Sequence, residues 1–336
     1  MTEPSVGFWS DFASRFDLQE IEYGGHKWDY SPFVPCLSDN QTASFIRTGM
    51  DGTTELVIHP LAGPQSVLAP PSGGKFASHP AMNSSGVIGV YGERADGESV
   101  LWVADQNRSW EGCEATGFGP LGPTINEEGE IACRRSLAPN SEVGISVRES
   151  YRRVLSAGEN LEFHGIPVIN NLGALAIRQN KGGEQGIVVS IPSGESYWLS
   201  WLGVSEVGPF IGINNFLQIA FRATREDGTS FLGWTDRYRG LICLLSSGDI
   251  WESFRGILID DFGRCLFYGT PVGCELGVYF GHDPSEHFIF GIGHDLGQGK
   301  IVDFALNPVS INCLGQFAFR ATFEDGSQGI YRAVPV

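Results

Sequence analysis

Pro209-Phe210-Ile211-Gly212-Ile213-Asn214-Asn215-Phe216-Leu217-Gln218-Ile219-Ala220-Phe221-Arg222-Ala223-Thr224-Arg225-Glu226-Asp227-Gly228 decides the fold, because the chain repeats it near its end. The second copy reads Ser310-Ile311-Asn312-Cys313-Leu314-Gly315-Gln316-Phe317-Ala318-Phe319-Arg320-Ala321-Thr322-Phe323-Glu324-Asp325-Gly326. Weaker copies begin at Met82-Asn83, Ile125-Asn126, Ile169-Asn170 and Ile259-Asp260, and a degenerate one is Leu37-Ser38-Asp39-Asn40. With the Asn (or Ser38 and Asp260) as marker, the copies stand at 38, 83, 126, 170, 214, 260 and 312, spaced 45, 43, 44, 44, 46 and 52 residues. Seven units near 44 residues are each too small to bury an apolar face alone and must pack on one another, which is the pattern of a seven-bladed β-propeller.

Each unit reads as four strands. The first ends at Ile-Asn, and the Asn-x-x-Gly that follows is a tight turn, with Asn bonding its own backbone and Gly taking positive φ. The second strand alternates, as in Gln218-Ile219-Ala220-Phe221-Arg222. A second turn signal follows at Asp51-Gly52, Asp96-Gly97, Asp227-Gly228 and Asp325-Gly326, and two more short β-rich runs complete the unit. The repeat covers residues 1–336 almost end to end, so we read one domain, with blades starting near 30, 75, 117, 162, 206, 252 and 302. The last unit stops after its third strand. The segment at about 17–24 is expected to supply the missing fourth by pairing with Ile330 to Ala333, which also removes an open sheet edge. Apolar residues at 8, 9, 12, 13 and 16 have helical spacing and predict a short helix over 7–16.

The chain carries a net charge of −17, which repels a phosphate backbone or an anionic membrane and leaves cationic ligands and basic segments as compatible partners. No apolar stretch is long enough to cross a membrane as a helix. The start has no basic region followed by an apolar run, so it is not read as a secretory signal. Seven cysteines without a Cys-x-x-Cys pair suit reduced thiols, and the expected compartment is the cytoplasm.

In layout, these units resemble the blades of TolB-like propellers. In wording, Ile-Asn-x-x-Gly-x-x-Ala-Phe-x-Ala with a later Asp-Gly is similar to a repeat of bacterial exported proteins of unknown function. The resemblance spans nearly the whole chain, and blades five and seven carry it fully. Blade one lacks the Asn and the Gly, and blade five has Leu217 where Gly is usual. It implies a fold and brings no catalytic residues, since its motif residues hold turns.

Function is expected at the mouth where each blade's fourth strand leads into the next blade's first, because loops on a rigid scaffold carry ligands. Eight residues before Asn170, Asn214 and Asp260 stand Glu162, Glu206 and Glu252, and Asp303 holds that place in blade seven with one inserted residue. Lys75 holds it in blade two and Asp29-Tyr30 in blade one, while blade three has Gly117 one residue earlier with Glu114 nearby. Carboxylates crowded at one opening would attract a cation and raise one another's pKa. Phe76, Phe163 and Phe304 follow by one residue and suit packing between blades or stacking on a ligand. His164 and His79 are candidate acid/base groups beside Glu162, and Arg255 is a candidate clamp for a carboxylate. His282, His287, His294 and His59 have no metal-binding spacing, and neither a metal nor a cofactor is expected. No phosphate-cradling loop and no Gly-x-Ser-x-Gly elbow occurs.

Two functions stay open. The first is a module that binds a small molecule or a protein segment at an acidic channel mouth. The second is a cofactor-independent enzyme (a lyase, isomerase or cyclase) acting through His164 or His79 with Glu162, Glu206 and Glu252.

Overall fold

Blade five shows how the repeat becomes structure. Its inner strand, Val204–Ile213, pairs in turn with Ile219–Arg225, Ser230–Asp236 and Gly240–Ser246, each antiparallel to the last. At the first turn Asn214 Oδ1 accepts N–H groups of Phe216 and Gln218, both at 3.0 Å, and Leu217 sits at φ 59°, where blade one places Gln41 and the remaining blades place Gly. Seven such sheets make up the computed structural model, which describes residues 15–70, 73–105, 109–114, 121–137, 140–147, 150–236 and 240–336. The chain is a seven-bladed all-β propeller. Cys36, Cys133 and Cys265 are buried, as their strand positions suggest.

The ring closes as the truncated last unit requires. The N-terminal strand Phe16–Gly25 pairs with Gln328–Pro335 and sets Leu18 opposite Ala333 and Glu22 opposite Ile330. Phe16 and Leu18 pack on the core between blades six and seven. Of the helix expected over 7–16, residues 7–14 lie outside the described ones, and Phe16 opens this strand. Gly117 of blade three likewise lies outside the described residues.

Antiparallel strands sort the loops by face. The Asn-x-x-Gly turns ending the inner strands lie on one face, here the turn face. The Asp-Gly turns and the blade-to-blade connections lie on the other, the start face, where inner strands begin. Adjacent blades interlock through apolar clusters, for example Phe267, Trp251 and Tyr279 of blade six against Trp234 and Ala220 of blade five.

The marker residues bind blade to blade as well as turning the chain. The Asn83 side chain donates to the carbonyl of Asn126, Asn126 to Asn170, Asn170 to Asn214 and Asn214 to Asp260, at 2.8–3.2 Å. Asp260 has no amide to donate, and Arg264, held by it, reaches the Leu314 carbonyl at 3.0 Å. Asn312 donates to Ser38 at 3.4 Å, and where blade one lacks the marker Asn, Asn40 donates to Ser84 at 2.7 Å. The result is an unbroken circle of seven side-chain donors round the channel.

Candidate functional site

The channel does not run open from face to face. Blade seven's inner strand, Ile301–Ala305, leads into a single 3-10 turn, Pro308–Ser310, capped by Asn307, whose side chain accepts from Val309 N–H at 3.0 Å. This turn packs on the inner strands of blades one, five and six, so it crosses the axis. Ser310 Oγ donates to the Pro35 carbonyl at 2.8 Å. Leu306 and Asn307 line a cavity toward the start face, while Pro308 and Val309 line one toward the turn face.

The start-face cavity has a volume of about 520 Å³, within the range of small-molecule sites. Its walls are apolar and aromatic, with Phe210, Phe254, Phe304 and Tyr268 among them. Its charge comes from Arg222 and Arg255, with His79 beside them, and no carboxylate is among its described lining residues. That is a cationic interior in a chain of net charge −17.

Arg222 belongs to a set. Eight residues past the marker, on the second strand, blades three, four, five and seven carry Arg134, Arg178, Arg222 and Arg320. Three of them stitch their blade to the next. Arg134 donates to the carbonyls of Phe163 at 2.8 Å and Gly165 at 3.1 Å, Arg178 to Val207 at 2.8 Å, and Arg320 to Phe33 at 3.4 Å. Burial holds the guanidinium pKa of Arg134 and of Arg178 below the usual arginine value. Arg222 makes no such bond among the described residues. Its guanidinium meets Glu206 of its own blade at 3.5 Å and Thr224 Oγ1 at 3.2 Å, leaving it directed at the cavity. At the level where blade four presents Gly165, five residues before the marker, blade six presents Arg255 instead. Arg255 lies in the irregular stretch between Phe254 and Gly256, is exposed, and has no ion-pair partner among the described residues. Composition did not point to Arg222. The Arg register at eight residues past the marker was the available signal, and it also marks three structural arginines.

Of the residues singled out in the sequence, the structure joins some pairs and separates others. Glu162 and His164 meet, Oε2 to Nε2, at 3.3 Å. Burial, with Arg178 directly opposite in the pairing, holds the His164 pKa below the ordinary histidine value. His164 stays partly exposed and outside the cavity lining. Glu206 is paired with Arg222, Asp303 with Arg320 at 2.9 Å, and Lys75 with Glu93 at 3.0 Å. Glu252 is exposed. None of Glu162, Glu206, Glu252 and Asp303 lines the cavity, and three of them face His164, Arg222 and Arg320 rather than one another.

Phe76, Phe163 and Phe304 are buried between blades, and Phe304 also reaches the cavity wall. His79 is only 2% exposed and works as a cross-channel tie. Its ring accepts the Gly122 N–H of blade three at 3.1 Å and lies 3.2 Å from the Asn307 amide of blade seven. Gly165, at φ 75°, sits so close to blade five that an added Cβ would lie 2.1 Å from the Pro209 carbonyl oxygen, so the bulge after His164 requires glycine.

Acidic side chains do gather at the other end of the channel. The turn-face cavity, about 140 Å³, is lined by Asp39, Glu127 and Asp261 together with Asn171, Asn215 and Cys313. Burial, with Asp39 nearby, raises the Glu127 pKa above the ordinary carboxylate value, and burial pushes the Cys313 thiol up to about 12.

No protein-family model and no curated protein matches this chain. Among solved structures, prolyl oligopeptidase B from Galerina marginata aligns with a TM-score of 0.61 at 11% identity, over 92% of this chain and 49% of that one. Oligogalacturonate lyase in complex with manganese aligns at 0.58 and 11%, over 96% of each chain. A catalytically inactive virginiamycin B lyase from Staphylococcus aureus with quinupristin aligns at 0.57 and 11%, over 96% of this chain and all of that one. TolB from Acinetobacter baumannii superposes less well, at 0.42. At such identities the likeness establishes the propeller fold and leaves the chemistry to the residues of this chain.

Proposed function

We propose that this propeller binds a small molecule with an aromatic or apolar body and a carboxylate, in the start-face cavity. The observation that carries the reading is Arg222, the one member of its register directed at a cavity instead of a neighbouring blade's carbonyl. A guanidinium in an apolar enclosure recognises a carboxylate by paired, charge-assisted hydrogen bonds. Arg255 at the rim adds a second cation, and Phe210, Phe254 and Phe304 supply faces for the body. Glu206 and Asp303 then act at the rim, holding Arg222 and Arg320 in position rather than receiving a cationic ligand, and Glu162 meets His164. The test uses 2-naphthoate as probe, with the neutral 2-naphthamide beside it, by titration calorimetry. Naphthoate should bind more tightly, and Arg222→Met should weaken it about tenfold, roughly 1.4 kcal/mol. Equal binding of both probes, unchanged in Arg222→Met, would end this reading.

A second reading, a lyase-type enzyme, draws on the Glu162–His164 contact. A neutral imidazole fixed by a carboxylate is a general base, and His164 is kept neutral by burial and by Arg178. Two of the similar structures are lyases by name. Elimination from carboxylate-bearing glycosides or esters would appear as ultraviolet absorbance of a new double bond. The reading predicts that His164→Gln abolishes it without changing the melting temperature; retained turnover would rule it out.

A further inference from the structure

On the turn face, Leu172, Phe216, Phe262 and Leu314 hold large apolar side chains in solvent, 58%, 70%, 69% and 43% exposed. All four stand two residues past the marker, in blades four to seven. Blades one to three carry Asn40, Ser85 and Glu128 there, so the turn itself does not call for an apolar residue. Exposed as they are, these side chains add little to the core.

Hydrogen bonds fix the four turns side by side. Asn171 N–H reaches Asn215 Oδ1 at 2.7 Å, Asn215 N–H reaches Asp261 Oδ1 at 3.0 Å, and Arg264 reaches the Leu314 carbonyl at 3.0 Å. The guanidinium of Arg264 lies 4.7 Å from the Phe262 ring centre. Single exposed leucines are ordinary on a protein surface, but four such tips on consecutive linked turns form an apolar crescent of the kind that marks an interaction site. Inside its curve lies the turn-face cavity with Asp39, Glu127 and Asp261, and no lysine or arginine is among its described lining residues.

We propose that the turn face docks a polypeptide segment that lays apolar side chains on the crescent and turns a lysine or arginine toward Asp39, Glu127 and Asp261. Charge complementarity selects this occupant. A second copy of a chain at −17 would bring like-charged faces together, and an anionic lipid surface would be repelled. Apolar anchors supply affinity while the cation fixes position, as in other segment-recognising grooves. The site is independent of the start-face cavity, from which the Pro308–Ser310 turn divides it.

The test is fluorescence anisotropy of the full chain with a labelled octapeptide alternating leucine and lysine, alongside leucine–glutamate and leucine–serine peptides. The leucine–lysine probe should bind best. Phe216→Ser with Phe262→Ser should weaken it at least tenfold, and these exposed tips can change without disturbing the fold. Asp39→Asn with Asp261→Asn, which keeps the amide oxygens that accept backbone N–H groups, should weaken it about fivefold. Glu184→Gln with Asp249→Asn, which removes the same charge from the start face, should leave it unchanged. The proposal fails if the crescent variant binds as tightly as the parent, or if the start-face pair weakens binding as much as the Asp39 and Asp261 pair. It also fails if the parent sediments as a dimer that the crescent variant dissolves.

Discussion

The side-chain amide of Asn170 donates to the backbone carbonyl of Asn214 at 2.8 Å, one full repeat away, while its oxygen holds its own turn through the N–H of Ala174 at 2.9 Å. One residue type thus serves both halves of the repeat, which explains why the marker is Asn rather than any turn former. Asn170→Asp keeps the acceptor and loses the donor, setting a carboxylate against a buried carbonyl. It should cost about 1–3 kcal/mol, read by urea unfolding, as expected for an unsatisfied buried group. Asp260 shows what such a change needs, since its own blade adds Arg264 to restore the link.

Arg178 and Arg222 occupy the same register and should behave differently. Arg178→Met orphans the Val207 carbonyl and should destabilise the fold by about 1–3 kcal/mol. Arg222→Met breaks only a 3.5 Å contact with Glu206 and a bond to Thr224, so its melting temperature should stay near the parent's while binding of 2-naphthoate falls. Thermal melts and calorimetry on both variants check the contrast.

The ring closure can be measured directly. Deleting residues 1–25 removes the strand opposite Gln328–Pro335 and the packing of Phe16 and Leu18. With a side chain of this kind worth about 1.5–3 kcal/mol on burial, the melting temperature should drop by roughly 10 °C. The exposed edge of Gln328–Pro335 should then promote association on size-exclusion chromatography.

Glu127 ties stability to pH. Its folded pKa is raised, chiefly by burial and further by the nearby Asp39. The unfolded chain therefore ionises first, and the favourable contribution of protonated Glu127 is present below the ordinary value of 4.5 and lost as pH rises through the raised one. Glu127→Gln can still accept from Ser84 and should gain melting temperature relative to the parent as pH rises from 4 through that window. A difference independent of pH would contradict the assignment.

The fold was legible because the sequence repeats a local device. Asn214 with Leu217, and Asn312 with Gly315, report turns from neighbouring residues alone, and counting the markers gives seven blades. The N-terminal strand was legible from a deficit, a last unit missing one strand. The site was harder to read for a physical reason. Register along a strand says which level of the channel Glu162, Glu206, Glu252 and Asp303 occupy, but not whether each side chain turns inward or toward a cation. Arg222 and Arg320 meet Glu206 and Asp303 from strands that are adjacent only after folding, while His164 meets Glu162 from two residues along the same strand. His79 lines the start-face cavity, and its partners Gly122 and Asn307 lie 43 and 228 residues away and could not be read from spacing. The exposed tips Leu172, Phe216, Phe262 and Leu314 sat within the repeat, and their meaning emerges only from their solvent exposure.

An anion-binding cavity lined by Arg222 is tested most directly by a crystal structure grown with 2-naphthoate. Its carboxylate should lie beside the Arg222 guanidinium and its rings among Phe210, Phe254 and Phe304. Naphthoate bound at the turn face, or with its carboxylate directed away from Arg222 and Arg255, would contradict it.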